Sequence, residues 1–554
     1  MEESSNFIFD IIDEDLRDDP NLKIHTRFPP EPNGYLHIGS AKAIMINFDT
    51  AKKYGGLFNL RYDDTNPTKE DVEYVDSILE DIQWLIGEKP NGGIFYGSDY
   101  FPLCFEYAVK LIKEGKAYVC DLSKEDVIEY KGTDRAEASR VSPYRDRSVE
   151  ENLDLFYRMK NGEFPEGSHT LRAKIDPTSP NTYLRDPIIY RIKYCHHHRQ
   201  GDEWCIYPMY DFAHPIQDAT EGITHSLCSL EFENHRPLYE WVVNNIGFEK
   251  KPKQREFARL NVTNTVMSKR YLRYLVENGI VDGWDDPRLP TIHALRRRGY
   301  TPTSIMTFVR NAGVSKSDNL VDIRMLEACI RDELNETAPR RVCVVNPVKV
   351  VIDNLPKDFE ENFELPNHPQ HPEMGTRSVC FTKELYIDAE DFSEVPPPKF
   401  FRMKPEGEVR LMGAYIVRCN EVKHNEDGSV KVIHCTADLE SGNGNPADGR
   451  KIKGTIHWVS AKYAEDVTVK LYDKLFTLEN MADAETDAEG HALYNNYLNP
   501  DSLITAEHAK AEPSLKNAKV GDRFQFVRTG YFCKDSKYEN TFNRIVSLKD
   551  SFKA

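Results

Sequence analysis

Residues 27–40 read RFPPEPNGYLHIGS, and this stretch decides the fold class. The apolar and β-branched approach at residues 24–28 predicts a strand. The prolines and the glycine that follow exclude regular structure in the next several residues. From Ser40 onward, apolar residues recur at helical spacing, which predicts a helix. A loop that ends at a helix N-terminus offers unpaired backbone N–H groups and a favourable dipole, and these predict a phosphate-binding site.

A second short segment, VMSKR at residues 266–270, supplies a basic residue from elsewhere in the chain. His37 of the first segment adds a neutral ring donor, and Lys269 of the second adds a mobile positive charge. Each segment alone is a weak signal. Together and in this order, HIGS and MSK resemble the paired HIGH and KMSKS signatures of class I aminoacyl-tRNA synthetases.

The resemblance continues along essentially the whole chain, including its C-terminal region. PPEPNGYLHIG (29–39), NLRYDDTNP (59–67) and WCIYPMYDFAHPIQDATEGITHSLCSLEF (204–232) match the glutaminyl-tRNA synthetase family of the bacterial and eukaryotic type. The resemblance implies a ligase that activates L-glutamine with ATP and transfers it to the terminal ribose of its tRNA. One departure stands out: the second histidine of the family signature is Ser40.

By resemblance, the catalytic residues are His37, Ser40 and Lys269. The resemblance also places Arg27 on carboxylate or carbonyl oxygens of glutamine, Asp63 on its α-ammonium group and Tyr210 on its side-chain amide. The implied ATP-binding residues are Glu31, Pro32, Asn33, His37, Ile38, Gly39, Ser40, Ala41, Lys42, Ala43, Ser229, Arg259, Leu260, Met267, Ser268 and Lys269. The implied tRNA-binding residues are Arg340, Arg402, Gln525 and Arg528. Mg²⁺ would arrive with ATP, and no metal ligand is expected from the protein.

Some of these residues have simpler interpretations. Ser40 is a preferred type of helix N-cap, and its loss of a histidine hydrogen bond to ATP would cost ~1.5–3 kcal/mol, or about tenfold to a hundredfold in rate. Asp63 and Asp64 are candidates for an acid–base pair, a metal site or helix caps. Because neighbouring strand residues point to opposite faces, we expect them not to cooperate. Without the resemblance, Tyr210 would be an ordinary strand aromatic.

Residues 195–198, CHHH, together with Cys205 suggest a zinc site as a minor alternative. The ligand types fit zinc, but three consecutive histidines cannot all point into one tetrahedral site.

Composition sets the broad class of the chain. Its 554 residues, 40% hydrophobic and 29% charged, predict a multidomain globular protein. The eleven cysteines lack Cys-x-x-Cys spacing, and the N-terminus resembles no signal peptide, so we expect reduced thiols and a cytoplasmic location without membrane spans. A net charge of −18 argues against nucleic-acid binding, so RNA binding would need a local basic track. Candidates for that track are residues 296–298 and 340–341, Arg402, Arg410, Lys451, Lys453 and Arg528.

The expected fold class is multidomain α/β, with a Rossmann-like catalytic domain because strands and helices alternate in the first hundred residues. After residue 339, period-two alternation such as that of residues 451–458 predicts β structure. By resemblance, this β region forms two barrels, one inserted in the other, that bind the anticodon. The expected domains are the catalytic domain (1–98 and 208–258), an acceptor-stem-binding insertion (99–207), a helical subdomain (259–338), a proximal barrel (339–397 and 478–554) and a distal barrel (398–477).

Rival functions follow from the same residues. Glutamyl-tRNA synthetases of the archaeal and eukaryotic type share the fold and the barrels. A catalytically weakened paralogue that only binds RNA is a second alternative, and Ser40 is its sole support. A small nucleotidyltransferase would share the phosphate loop but would have no use for the long C-terminal β region. The resemblance also predicts a monomer.

Overall fold

The computed structural model describes residues 6–67, 72–132 and 140–549. The chain divides into two compact units. The first comprises Met1–Asn261 and Val309–Leu320, and the second comprises Val262–Phe308 and Val321–Ala554. Among the described residues, no helix combines the length and the apolar character that crossing a membrane requires.

The α-helices of the described residues are α1 (Phe7–Asp18), α2 (Ile38–Lys53), α3 (Val72–Ile86), α4 (Phe101–Lys113), α5 (Lys124–Lys131), α6 (Val149–Lys160), α7 (Tyr210–Glu221), α8 (Arg236–Ile246), α9 (Lys269–Glu277), α10 (Ile292–Arg298), α11 (Pro302–Ala312) and α12 (Ile323–Thr337). The strands up to residue 321 are β1 (His25–Phe28), β2 (Leu57–Tyr62), β3 (Gly93–Tyr96), β4 (Ala117–Cys120), β5 (Thr170–Ala173), β6 (Ile188–Ile192), β7 (Ile206–Pro208), β8 (His225–Ser229), β9 (Lys253–Phe257), β10 (Leu260–Val262) and β11 (Asn319–Val321).

The later strands are β12 (Arg340–Arg341), β13 (Cys343–Val344), β14 (Pro347–Ile352), β15 (Glu360–Pro366), β16 (Thr376–Thr382), β17 (Glu384–Asp388), β18 (Glu408–Leu411), β19 (Ile416–His424), β20 (Val430–Asp438), β21 (Thr455–Ile456), β22 (Val459–Ser460), β23 (Glu465–Tyr472), β24 (Leu503–Ala511), β25 (Arg523–Phe526), β26 (Gly530–Lys534) and β27 (Thr541–Ser547).

The first unit contains parallel strands, as the alternation of strands and helices predicts. β1, β2 and β3 pair in that order, with Arg27 beside Asn59 in the register. β8 and β9 form a second parallel pair. Between β3 and β8 in the chain, β4 to β7 form an antiparallel sheet. The carboxyl ends of β1 and β2 carry the loop before α2 and the two aspartates, which is the usual place for ligands in such folds.

The second unit contains two large barrel-like sheets. One has the strand order β12-β25-β26-β27-β23-β24-β13, and the other has the order β21-β18-β19-β20-β14-β17-β22. β14 and β17, which we assigned to the proximal barrel, pair with β20 and β22 of residues 408–460 instead. The sheets therefore divide this region differently from the expected boundaries.

The predicted strand at residues 451–458 is wrong in its extent, because only Thr455–Ile456 is in a strand. The period-two pattern fails because residues 456–459 are buried in succession, including His457 and Trp458. The indole N–H of Trp458 donates to the carbonyl of Met412 at 3.0 Å, which turns this segment inward. Burial on both sides therefore overrides the alternation.

Candidate active site

The N-terminus of α2 is capped by His37. The Nδ1 atom of His37 accepts a hydrogen bond from the backbone N–H of Gly39 at 3.1 Å, and the Oγ of Ser40 accepts one from the backbone N–H of His37 at 3.3 Å. This is a reciprocal capping box, with Ser40 at the third helical position. The prediction that Ser40 is the N-cap is wrong, because the helix begins two residues earlier. Since Nδ1 accepts, the neutral His37 ring carries its proton on Nε2.

The loop before α2 is attached to the end of β2. The backbone N–H of Asp63 donates to the carbonyl of Pro30 at 2.9 Å, and the N–H of Asn33 donates to the carbonyl of Glu31 at 2.9 Å. The predicted ATP-binding residues at 31–33 and 37–43 thus lie on one loop and the first turns of α2. Within them Lys42 is buried, and burial lowers the pKa of its ammonium group against the opposing effect of Asp318.

Asp63 and Asp64 diverge as predicted. The Asp63 carboxylate accepts a hydrogen bond from Thr65 Oγ1 at 2.7 Å and contacts His214 Nε2 at 3.2 Å. The Asp64 carboxylate instead accepts two hydrogen bonds from the backbone N–H and the hydroxyl of Ser98, both at 2.7 Å, and contacts His198 Nε2 at 3.1 Å. The two carboxylates have separate partners and do not form an acid–base pair.

A buried chain of hydrogen bonds runs from Arg61 through His214 to Asp63. The Nη2 atom of Arg61 lies 3.1 Å from Nδ1 of His214, and Nε2 of His214 faces Asp63. Because a guanidinium can only donate, Nδ1 must accept, so His214 is neutral and donates from Nε2 to Asp63. Burial acts to raise the pKa of Asp63, but the pKa is lowered, and the hydrogen bond with His214 is the largest opposing cause.

Asp218 joins two arginines from neighbouring strands. Its carboxylate accepts from Nε of Arg27 at 2.9 Å, from Nη2 of Arg61 at 2.6 Å and from the hydroxyl of Tyr239 at 2.8 Å. Burial opposes the ionisation of Asp218, but the two guanidinium groups lower its pKa well below the usual value. Arg27 and Arg61 are 1% and 0% exposed. This network fixes α7 against β1 and β2.

Arg27 uses all its donor atoms inside this network. Besides Asp218, its guanidinium donates to the carbonyl of Leu227 at 3.0 Å and to the hydroxyl of Ser226 at 2.7 Å. These bonds use four of the five N–H groups of its guanidinium. The predicted contact of Arg27 with glutamine remains a prediction.

Tyr210 is the first residue of α7, so the strand interpretation of Tyr210 is wrong. Its ring centroid lies 4.1 Å from that of His214 and 5.0 Å from that of Phe232. Burial raises the pKa of the phenol well above its usual value, and it therefore stays protonated near neutral pH. Within the described part of the chain, its hydroxyl has no hydrogen-bonded partner. The structure thus places Tyr210 and Asp63, both predicted to bind glutamine, on either side of His214.

Sequence analysis missed His214, Arg61 and Asp218. A signal for two of them was present, because Tyr210, His214 and Asp218 recur every four residues and therefore share one face of α7. Polar residues on a helix face that packs against a sheet indicate a functional site. For Arg61, a charged residue inside the buried strand β2 is the corresponding signal.

The buried groups that are connected to Asp63 through His214, Arg61 and Asp218 carry a net negative charge. Arg27 and Arg61 are positive, whereas Asp63, Asp218 and Glu221 are negative, and His214 is neutral in the tautomer given above. Glu221 pairs with Arg61 at 3.1 Å and is 1% exposed. The net charge of −1 favours a cationic group of a ligand and disfavours an additional anionic one.

Two further predicted ATP-binding residues meet in the first unit. The hydroxyl of Ser229, at the end of β8, donates to Glu231 at 2.7 Å, and Nη1 of Arg259 approaches the same carboxylate at 3.5 Å. Leu260 follows Arg259 and begins β10. In the second unit, Ser268 precedes α9 and Lys269 is its first residue. The pairing of the MSK segment with the HIGS segment remains a prediction.

The residues of the zinc alternative have other partners. Nε2 of His197 donates to the carbonyl of Asp64 at 2.7 Å, and its Nδ1 accepts from the backbone N–H groups of Arg199 and Gln200 at 3.1 and 3.2 Å. Asp64, His197 and His198 lie close enough together to suggest a metal site. Because both ring nitrogens of His197 are occupied, this cluster offers an incomplete ligand set. Cys205 Sγ faces the carbonyls of Met159 and Lys160 at 3.3 and 3.2 Å.

The predicted tRNA-binding residues form two pairs within the second unit. Arg340 and Gln525 are neighbours in the register of β12 and β25. Arg528 pairs with Asp391 through both terminal nitrogens, at 2.6 and 2.7 Å, and Nε of Arg402 lies 3.5 Å from the same carboxylate. Contact of these four residues with tRNA remains a prediction.

Comparison with known proteins identifies the class. Residues 23–336 match the family described as tRNA synthetases class I (E and Q), catalytic domain. Residues 338–438 and 455–535 match two families described as tRNA synthetases class I (E and Q), anti-codon binding domain. The chain therefore belongs to the class I tRNA synthetases of the E and Q group, with a catalytic domain followed by two anticodon-binding domains built on barrel-like sheets.

Relatives that align over the full length of the chain identify one family within this class. The chain is 55% identical to the glutamine–tRNA ligase of Clostridium perfringens, over 100% of this chain and 99% of the relative. It is 53% identical to that of Stutzerimonas stutzeri, over 99% of this chain and 98% of the relative. Within the class, the chain is thus a member of the glutamine–tRNA ligase family, which confirms the resemblance. A solved glutamate–tRNA synthetase from Elizabethkingia anophelis has a TM-score of 0.44 at 19% identity, over 57% of this chain and 72% of that one, and this low similarity supports no inference.

Proposed function

We propose that the protein is a glutamine–tRNA ligase that joins L-glutamine to the 3′-terminal ribose of glutamine tRNA. The glutamine carboxylate attacks the α-phosphate of ATP, and pyrophosphate leaves to give glutaminyl-adenylate. The ribose hydroxyl of the tRNA then attacks the adenylate carbonyl, and AMP leaves. The observation that carries this proposal is the arrangement of Asp63, His214 and Tyr210 in a chain related to glutamine–tRNA ligases over its full length. Glutamate ligation is not favoured by these relatives.

No side chain acts as a covalent nucleophile in this proposal. Catalysis comes from positioning the two reactants and from neutralising the charge that develops on the phosphates. We assign the phosphate end to the loop before α2, with the Nε2 proton of His37 and the backbone N–H groups of α2. Lys269 is assigned to the pyrophosphate, and Mg²⁺ is expected to enter with ATP.

We assign the amino-acid end to the negative pocket around Asp63. An anionic pocket attracts the α-ammonium group of the substrate. It also raises the cost of placing a second carboxylate near Tyr210, and this disfavours glutamate. The protonated Tyr210 keeps an oxygen lone pair that can accept a hydrogen bond from the side-chain amide of glutamine. Discrimination against glutamate in this proposal therefore comes from electrostatics, because the O–H of Tyr210 can also donate to a carboxylate.

The remaining assignments are also proposals. We assign the parallel sheet to the catalytic domain (1–98 and 208–258), residues 99–207 to acceptor-stem binding and residues 259–338 to a helical subdomain. The strands at 347–460 would form the distal barrel, and β12 and β13 with the strands at 465–547 would form the proximal one. We expect a cytoplasmic monomer.

The proposal predicts selective charging with glutamine. With total tRNA, ATP and Mg²⁺, labelled glutamine should be transferred, whereas labelled glutamate should not. Pyrophosphate exchange driven by glutamine should require tRNA, as expected for this family. Efficient transfer of glutamate, or rapid exchange without tRNA, would contradict the assignment.

Ser40 allows a direct test of the altered signature. Replacing Ser40 with histidine removes the Oγ that accepts from the His37 N–H, and we expect a loss of stability of ~0.5–1.5 kcal/mol, the net contribution of one hydrogen bond, measured by thermal unfolding. If neighbouring donors already compensate for the missing histidine, activation should change by less than about tenfold, or roughly 1.4 kcal/mol. An increase of about a hundredfold would show an uncompensated defect and would favour the RNA-binding paralogue.

A further inference from the structure

An aromatic loop (residues 393–403) projects from the first anticodon-binding region. Its two ends are held together, because the N–H of Ser393 donates to the carbonyl of Met403 at 3.1 Å and the N–H of Met403 donates to the carbonyl of Asp391 at 2.9 Å. Three consecutive prolines at residues 396–398 restrict the backbone between these ends. The loop is therefore a constrained protrusion.

Phe401 is exposed on this loop although it is a large apolar residue. Its side chain is 51% exposed, and Nζ of Lys453 lies 5.5 Å from its ring centroid. The segment that carries Lys453 is fixed at close range: a Cβ on Gly454 would lie 1.9 Å from the carbonyl oxygen of Phe401. Only glycine permits this approach. The ring of Phe401 and the ammonium group of Lys453 are thus held close together, and much of the ring remains accessible to solvent.

Two arginines lie in or beside the loop in a chain whose net charge is −18. Arg402 and Arg528 both face Asp391, which is 2% exposed, so this cluster retains one surplus positive charge. The side chain of Arg402 remains 41% exposed. Arg528 adopts a left-handed backbone conformation with φ of 67°, which is uncommon for a residue other than glycine. The chain tolerates this conformation where Arg528 meets Asp391.

We propose that Phe401 is a stacking platform for an unpaired nucleobase of the tRNA, and that Lys453 and Arg402 contact the flanking phosphates. An exposed aromatic ring with cationic side chains nearby is a combination that binds single-stranded nucleic acid, because every base has a face that can stack and every linkage carries a negative charge. The inference rests on the proposed function, which supplies tRNA as the RNA. Phe401 is outside the tRNA-binding residues assigned above, and Lys453 was named there only as one candidate for a local basic track.

The test compares three variants of the full chain in direct binding to intact glutamine tRNA. Phe401→Ala should weaken binding by between about fivefold and 150-fold, the usual effect of removing one stacked aromatic. Phe401→Trp should bind within about twofold of wild type because it keeps a stacking face. Val395→Ala is the matched control: Val395 is 90% exposed on the same loop but has no ring, and its loss should leave binding unchanged.

A spectroscopic readout separates stacking from a change in loop shape. Glutamine tRNAs with 2-aminopurine at single unpaired positions of the anticodon loop are bound to wild type, Phe401→Ala and Phe401→Trp. At one position, we expect a fluorescence change with wild type and Phe401→Trp that is absent with Phe401→Ala. Lys453→Gln should lower the slope of log affinity against log salt by about 0.7, the value for one phosphate of a single strand.

Binding by Phe401→Ala within twofold of wild type, or equal losses in Phe401→Ala and Phe401→Trp, would overturn the inference. So would unchanged tRNA binding together with an altered sedimentation coefficient, which would indicate a protein interface. These outcomes differ from failure of the proposed function, in which wild type itself would not charge tRNA with glutamine.

Discussion

Replacing Asp63 with asparagine should lower kcat/KM for glutamine by between about 30-fold and several thousand-fold. Removing one partner of a buried, hydrogen-bonded charge pair costs ~2–5 kcal/mol, and we assign the α-ammonium group of glutamine as that partner. The substitution keeps the shape of the site, since the amide oxygen of asparagine can still accept from Nε2 of His214. It also removes the net negative charge of the pocket. Pyrophosphate exchange in the presence of tRNA, measured over a range of glutamine concentrations, gives this quantity.

Asp64→Asn is the matched control for this prediction. Asp64 is the adjacent buried carboxylate, but its partners are Ser98 and His198. Its replacement should lower thermal stability while leaving kcat/KM for glutamine close to wild type at a temperature where the variant is folded. A change of less than about threefold in Asp63→Asn, or a change that affects KM for ATP as much as KM for glutamine, would contradict the assigned role of Asp63.

Replacing Lys269 with alanine should slow adenylate formation by about a hundredfold to a thousandfold, the usual effect of removing one group that stabilises a developing negative charge. KM for glutamine should stay nearly constant, because the ammonium group is needed most as pyrophosphate departs. Lys269→Arg should retain part of the rate. Single-turnover measurement of adenylate formation, with tRNA present, separates this step from transfer.

Arg270→Ala serves as the control for the loss of a positive charge at the start of α9, since Arg270 is the next residue in the same turn. This variant should form the adenylate at nearly the wild-type rate. If Lys269→Ala instead raised KM for glutamine and left turnover intact, Lys269 would have no role in the transition state. An equal loss in both variants would indicate general electrostatic attraction of ATP.

Strands and helices that depend on the local sequence pattern could be predicted. β2 at Leu57–Tyr62 continues the predicted alternation of strands and helices, and the apolar positions Ala41, Ile44, Phe48 and Ala51 are buried in α2. The start of α2 was misplaced because serine is a better average N-cap than histidine, and both occur within four residues. Here the histidine nitrogen accepts the capping bond, and the serine completes the box from inside the helix. Local preference could not choose between two candidates so close together.

The proposed site residues came from family motifs rather than from the chemistry of single residues. His37, Asp63 and Tyr210 follow from motifs, but their organisation depends on contacts between distant segments. Arg27 and Asp218 are 191 residues apart in the chain and meet only after folding. Neither the periodicity nor the spacing of residues in the sequence predicts this contact. The tautomer of His214 follows from Arg61 in the same way, through a contact across 153 residues.

The buried network of Asp218 with Arg27 and Arg61 also limits which substitutions this protein can accept. The groups that give the pocket its charge are the groups that hold α7 against β1 and β2, so substitutions among Arg27, Arg61 and Asp218 would not act independently. A substitution at any of these three residues would change both the charge of the pocket and the contacts that hold α7. The phenol of Tyr210 is free of this conflict, since its hydroxyl has no hydrogen-bonded partner among the described residues. Evolutionary change in substrate choice would therefore begin at the first turn of α7, while the far end of the same helix face stays invariant.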